Sequence, residues 1–202
     1  MRLVLPAALV LAVSNFTGKK GKSDIIKPME QIRKFDRLVI KSIGKLPVWL
    51  RPIMVSASFI GSPQSASIIL AATLALTYYQ KSHSLLLAEA VLLLAQPLGV
   101  LIKFLSRRPR PDTVYVEHMH FRTYSFPSAH AYSSVLTFGL STYFCLHYLL
   151  FPWSYTAAVL LILLIAMVGA SRVYLGAHFP TDVLGGWLLA AIILFFVIKY
   201  LT

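Results

Sequence analysis

Acidic residues are scarce in this chain: seven Asp and Glu stand against 19 Lys and Arg in 202 residues, for a formal net charge of +12. Charge of either sign is scarce as well, at 13% of residues, while 57% are hydrophobic and the mean hydropathy is +0.72. That apolar content exceeds what one soluble core needs, so the composition describes a protein of the bilayer. Cysteine is nearly lacking. Cys145 excludes an intrachain disulfide, says little about compartment and reads as a small core residue. Internal repeats and low-complexity tracts are lacking too, which favours one packed domain. No soluble basic domain is left over to bind nucleic acid, so the positive charge is left for anionic headgroups or an anionic substrate.

Residues 1–16 carry one Arg and a short apolar run, the pattern of a signal-like segment or a short anchor, with an anchor favoured because Ala12-Val13-Ser14 is a loose cleavage match. Residues 18–45 are polar and basic. In their second half Ile32, Phe35, Leu38, Val39, Ser42 and Ile43 recur at helical spacing, which suits an amphipathic helix on a headgroup surface or a solvated linker helix. We divide the chain into an N-terminal anchor and basic linker, residues 1–34, and a membrane domain, residues 35–202. Apolar runs follow at 48–60, 65–79, 85–105, 131–150, 155–170 and 183–201, separated by Pro, Gly, or polar and charged residues such as Gln80-Lys81. At about 20 residues per crossing, the first is short for a span, and the set predicts an all-α polytopic bundle with five or six transmembrane helices. Trp49, Trp153, Trp187, Tyr78, Tyr79, Tyr155 and Tyr200 fall near expected ends, where such rings settle at headgroup level. Glu89 and Gln96 lie inside a run; Glu89 is near enough to its end to reach the interface.

Three polar islands interrupt this apolar chain. The first, Lys103-Phe104-Leu105-Ser106-Arg107-Arg108-Pro109-Arg110-Pro111, opens the one long polar connection of the membrane part; the second, Phe126-Pro127-Ser128-Ala129-His130, closes it. Pro127 marks a first helical turn, which would leave the N–H groups of Ser128, Ala129 and His130 free for an anion. The third island, residues 171–182, holds Arg172, His178, Pro180 and Asp182. Pro180 again fits a first turn, and Asp182 lies one turn beyond His178, close enough to hold its ring. An even number of crossings puts the islands on one membrane face. Three cations (Lys103, Arg110, Arg172), a helix N-terminus with the Ser128 hydroxyl, and two His, one with a carboxylate partner, are what phosphoryl transfer asks for, with no metal cage needed.

Lys103 with Arg110-Pro111 fits K-x6-R-P, Pro127 to His130 is close to P-S-G-H, and Ser171-Arg172 with His178 and Asp182 fits S-R-x5-H-x3-D. In this order the three signatures resemble the type 2 phosphatidic acid phosphatase superfamily, which includes vanadium haloperoxidases. The resemblance implies a haloperoxidase-like helical core and a lipid phosphate phosphatase without cofactor. It implies His178 as the nucleophile of a phosphohistidine, Asp182 as its orienting partner and His130 as general acid. Lys103, Arg110, Ser128, Ala129 and Arg172 would hold the phosphate. Ala129 departs from the family's Gly; its methyl group is tolerable on helical backbone and would crowd the anion if positive φ were required.

The partners expected are therefore a lipid phosphate and the bilayer, with no nucleic acid; nothing indicates an oligomeric state. The favoured substrate is a polyprenyl diphosphate such as the undecaprenyl cell-wall carrier, with phosphatidylglycerophosphate, phosphatidate and lipid A phosphate as alternatives. More distant are a vanadate-dependent haloperoxidase and a transporter. Arg107 and Arg108 read as headgroup contacts, and His118 and His120 as loop residues too few for a metal site. Lys81 and Lys199, with the basic segment if 48–60 crosses, put positive charge opposite the site, which places the site outside a bacterial plasma membrane.

Overall fold

The computed structural model describes residues 21–79, 81–118 and 123–202. Outside them lie the expected anchor at 1–16, Lys19, Lys20, Gln80 and the Met119-His120 pair. The chain divides into two units, one reaching to Leu38 and one from Val39 to Thr202. Its elements are helices: α1 (Gly21–Ile43), a 3-10 turn (Val48–Leu50), α2 (Arg51–Ile60), α3 (Pro63–Tyr79), α4 (His83–Ser106), α5 (Val114–Glu117), α6 (Ala129–Tyr148), α7 (Trp153–Tyr174) and α8 (Pro180–Leu201). No strand occurs among the described residues.

In the first unit, α1 is amphipathic, and its apolar Ile32, Phe35 and Leu38 are exposed, as a helix that meets lipid headgroups requires.

In the second unit α6 lies at the centre, packed on α3, α4, α7 and α8. Leu70, Leu92, Tyr132, Leu136, Leu140 and Ala190 form the main core, and Ala131, Val173 and Val183 a second one. The central helix is the more polar one. Its Ser134, Ser141 and Thr142 hydroxyls donate to their own helix carbonyls, Tyr132 donates to Ala95 O at 2.8 Å and Ser133 to Gln96 Oε1 at 2.6 Å. Such groups survive in a bilayer when neighbouring helices screen them. The screen is α4, α7 and α8, the three described helices long and apolar enough to cross a membrane. Leu94, Leu98, Leu160, Leu163, Leu188 and Phe196 stand exposed on them, a surface suited to lipid.

Residues 48–60 do not cross alone. The 3-10 turn and α2 meet α3 at a 49° bend, and the two together make at most a fourth span. At the bend Ser65 N–H donates to Ser62 Oγ at 3.1 Å and Ser65 Oγ to Phe59 O at 2.9 Å, closing backbone groups freed by the break. Two side chains depart from expectation. Glu89 does not snorkel: it is fully buried and accepts from Thr77 Oγ1 at 2.7 Å, pinning α3 to α4 about 20 Å along the helix axis from Lys103. Trp187 is half-buried with its indole N–H unpartnered, lying where any side chain on Gly169 would strike it, so it packs α8 on α7 instead of anchoring the interface. Cys145 is half-buried, outside the core.

One close approach fixes the end of the bundle where α6 and α8 begin. At Gly186 of α8 a Cβ would stand 2.7 Å from the Ser128 carbonyl oxygen and 3.2 Å from Ala131 Cβ, so only glycine lets α8 meet the start of α6. Gly186→Val should destabilise the protein by about 1–3 kcal/mol through overpacking, read as a fall of several degrees in Tm in detergent; an unchanged Tm would show that the helices can part freely.

Candidate active site

The three islands meet at one end of the bundle. α4 brings Lys103 in its last turn, the described stretches 107–118 and 123–128 lie at that end, α6 starts there, and α7 hands over to α8 through residues 175–179. The α7–α8 turn works because Gly176 takes a positive φ of 72°, and because a side chain there would collide with Thr113. Ala177 and His178 N–H both donate to Arg172 O, at 3.0 and 3.2 Å, which ties the imidazole's backbone to the cation's.

Asp182 is the knot of the site. It is fully buried, three residues after the N-cap Phe179 of α8. Its Oδ1 accepts from Arg108 Nη1 at 2.7 Å, and its Oδ2 from Phe179 N–H at 2.9 Å and from the Ser125 hydroxyl. Its carbonyl accepts Ser128 N–H at 2.9 Å. Thus one residue joins the loop after α4, the start of α6 and the start of α8. His178 Nδ1 lies 3.5 Å from Oδ2 and has no hydrogen-bond partner. The carboxylate is therefore a charge beside the ring, at a distance beyond hydrogen bonding; its oxygens are engaged with the loop and the helix cap.

His178 is 2% exposed. Its Nε2 sits 3.3 Å from Arg110 Nη1, which also donates to Ala177 O at 2.9 Å, while Arg110 Nε donates to Thr123 O at 2.8 Å. Burial, reinforced by Lys103, Arg110 and Arg172 and opposed by Asp182, pushes the imidazole down to about 3. The ring is neutral at physiological pH, with a lone pair on the nitrogen that faces the cations.

Lys103 and Arg172 are almost wholly buried. Lys103 Nζ donates to Tyr124 O at 3.1 Å; Arg172 donates to the Ser58 hydroxyl of α2 and lies 5.8 Å from the Tyr115 ring centroid, with its Nε unpartnered. His130 lies where Arg172, His178, Lys103 and Arg110 all act on its charge. All eight expected residues therefore gather at one end.

Three local expectations change. Pro127 precedes the helix on a cis peptide bond, and α6 begins at Ala129 with Ser128 as its N-cap. Ser128 N–H is taken by Asp182, so Ala129 and His130 are the residues whose N–H groups lack a protein acceptor among the described residues. Ala129 is helical, without positive φ, so its methyl group costs the backbone nothing. Arg108 is no headgroup contact: besides Asp182 it donates to Thr181 Oγ1 at 2.7 Å and stacks 4.4 Å over Phe179. Its signal was its place inside the first island. Ser125 and Tyr115 shared that island's loop, whereas Ser58 sat in an apolar run with no mark. His118 turns Nδ1 to Val114 O at 2.8 Å.

A cup of buried cations around a neutral imidazole, at the rim of a bundle with a lipid-facing surface, defines a membrane-embedded site for phosphate chemistry. The model of the PAP2 superfamily matches residues 84–202. Phosphatidylglycerophosphatase B of Bacillus subtilis (strain 168) is 32% identical over 154 residues, covering 75% of this chain and 74% of that protein. The crystal structure of the first transmembrane PAP2 type phosphatidylglycerolphosphate phosphatase from Bacillus subtilis superposes with a TM-score of 0.69 at 26% identity, over 95% of this chain and 90% of that one. The chain belongs to the PAP2 superfamily and is an integral-membrane phosphatase.

Arg108→Gln should lower kcat/KM about 10- to 100-fold, as loss of a charge-assisted bond to a buried carboxylate does. With that cation gone, Asp182 acts more fully on His178 and raises its basicity, so the acidic limb of the pH profile should move to higher pH. A limb that stays in place would show Arg108 to be structural alone.

Proposed function

We propose that this phosphatase hydrolyses the terminal phosphomonoester of a lipid of the phosphatidylglycerophosphate type through a phosphohistidine on His178. The observation that carries the mechanism is the buried, neutral imidazole with Nε2 3.3 Å from Arg110. The names of the two Bacillus relatives support the substrate, and the exposed apolar flanks suit a substrate arriving laterally with its tail in the hydrocarbon. Those relatives lend no support to the expected undecaprenyl diphosphate.

In the first step His178 Nε2 attacks phosphorus, the ester P–O bond breaks, and His130 gives the leaving alkoxide its proton. A bound phosphate dianion offsets the surrounding cations and lets His130 hold that proton beforehand. Lys103, Arg110, Arg172 and the free N–H groups of the α6 N-terminus stabilise the charge that spreads over the equatorial oxygens. His130 then takes a proton from water, which attacks phosphorus and breaks the P–N bond to release phosphate. Asp182 keeps a negative charge beside the ring as it becomes positive. The protein's own cations do the neutralising, so the reading involves no metal.

For the membrane, we propose a bacterial plasma membrane with the site on its outer face. Lys81 and Lys199 lie at the opposite end of the bundle, which favours that end as cytoplasmic. The basic segment, expected opposite the site if 48–60 crossed, does not support this argument and its last cations count against it: Lys41 and Lys45 lead into a 3-10 turn that begins at the site's end of the bundle, where Tyr174 OH donates to Pro47 O at 3.2 Å.

Purified protein in detergent should release phosphate from phosphatidylglycerophosphate with a chelator present. His178→Ala should abolish release and His130→Ala should slow it by about 10²- to 10⁴-fold. Unchanged turnover in the His178 variant would remove the mechanism, and turnover of undecaprenyl diphosphate alone would remove the substrate.

A further inference from the structure

Beside the phosphate cup lies a cavity of about 940 Å³ whose walls include Arg51, Gln64, Tyr115, His118, Tyr174 and Leu175. Two features join it to the reaction site. Tyr115 belongs to both, since it lines the cavity and its ring centroid lies 5.8 Å from the Arg172 guanidinium carbon; Tyr174, the last residue of α7, and its C-cap Leu175 lie two and three residues beyond Arg172. Two features give it a chemistry of its own. Arg51 supplies a fixed positive charge that the cup does not use, while Gln64, His118 and the tyrosines supply polar groups. None of the described residues lining it is a carboxylate. A cationic, polar cavity next to the proposed phosphate site, with no acidic residue among its described walls, suits a second anion.

We propose that this cavity takes the second anionic group of a substrate whose two phosphates are separated by a short polyol: the phosphodiester of a phosphatidylglycerophosphate-type lipid, held by Arg51. The inference rests on the phosphatase reading above and sharpens its substrate. Tyr115 sets the spacing. Two phosphates joined directly, as in a diphosphate, would both have to lie on the cup side of that ring. A glycerol between them spans the wall and sets the diester in the cavity. Phosphatidate carries one phosphate and gains nothing from Arg51. Because Arg51 is exposed, solvent screens its charge, and the gain is that of one weakened charge-assisted contact, about tenfold in kcat/KM.

The test compares dioctanoyl phosphatidylglycerophosphate with dioctanoyl phosphatidate in the same detergent micelles, for wild type, Arg51→Gln and Arg51→Lys. Arg51→Gln should lower kcat/KM for the two-phosphate lipid about tenfold and leave phosphatidate hydrolysis as it was, and Arg51→Lys should keep most of the preference. Inhibition by dioctanoyl phosphatidylglycerol, which retains the diester and lacks the reacting phosphate, should weaken by the same factor in Arg51→Gln. Equal losses on both lipids, or no loss on the two-phosphate lipid, would overturn the cavity's role while leaving the phosphatase intact. A wild type that hydrolyses phosphatidate and ignores phosphatidylglycerophosphate would overturn the substrate reading and the cavity's role with it.

Discussion

A single buried carboxylate ties this structure together. Asp182 has no water to solvate it, so every lone pair it carries must find a donor within the protein. It finds them on three separate stretches of chain: Arg108 and Ser125 at either end of the long loop, and Phe179 at the mouth of α8. The requirement to satisfy one charge therefore ties Arg108 and Ser125 to the mouth of α8 and sets the helix start. It also brings a negative charge to 3.5 Å from the His178 ring. Removing one donor leaves the others holding a charge that is only partly compensated.

The same logic runs through the bundle at larger scale. A site that gathers Lys103, Arg110, Arg172 and two imidazoles at one end needs polar backbone and side chains close to lipid, which lipid does not tolerate. The chain meets this by division of labour: α6 carries the hydroxyls and the N-terminal N–H groups proposed to hold the anion, and α4, α7 and α8 carry the apolar surface. Close packing makes the division possible, as where Gly186 lets α8 lie against Ser128. Rigidity at the cup follows, since Lys103 and Arg172 are already bonded to Tyr124 O and Ser58 in the resting protein. A phosphate bound there, as we propose, would meet cations already in place, with little reorganisation left for the transition state.

Much of this was legible in the residues. The spacing of Lys103 and Arg110, the Pro-Ser-Ala-His turn, and Arg172 with His178 and Asp182 located the cup, because charges cannot sit at random in so apolar a chain. What escaped was whatever depends on three-dimensional partners. Arg108 looked like one more juxtamembrane cation until its bond to Asp182 was seen. Ser58 is a hydroxyl in an apolar run, and nothing local says that it meets Arg172, 114 residues away. Glu89 looked close enough to an end to reach water, yet Thr77 on the neighbouring helix takes it inward. Trp187 fitted an interface belt by position, but the bare backbone at Gly169 gives it a berth within the bundle. Residues 48–60 read as a run short for a crossing, and hydropathy does not show that a 49° bend joins it to α3.

The central claim is that the imidazole inside the cup is itself the group that bonds to phosphorus. It is tested most directly by quenching the enzyme in alkali during turnover and locating covalent phosphate by mass spectrometry. The account predicts phosphate on the peptide carrying His178, forming faster than free phosphate appears. Steady release of phosphate with no label on His178 at any quench time, or label on another side chain, would contradict it.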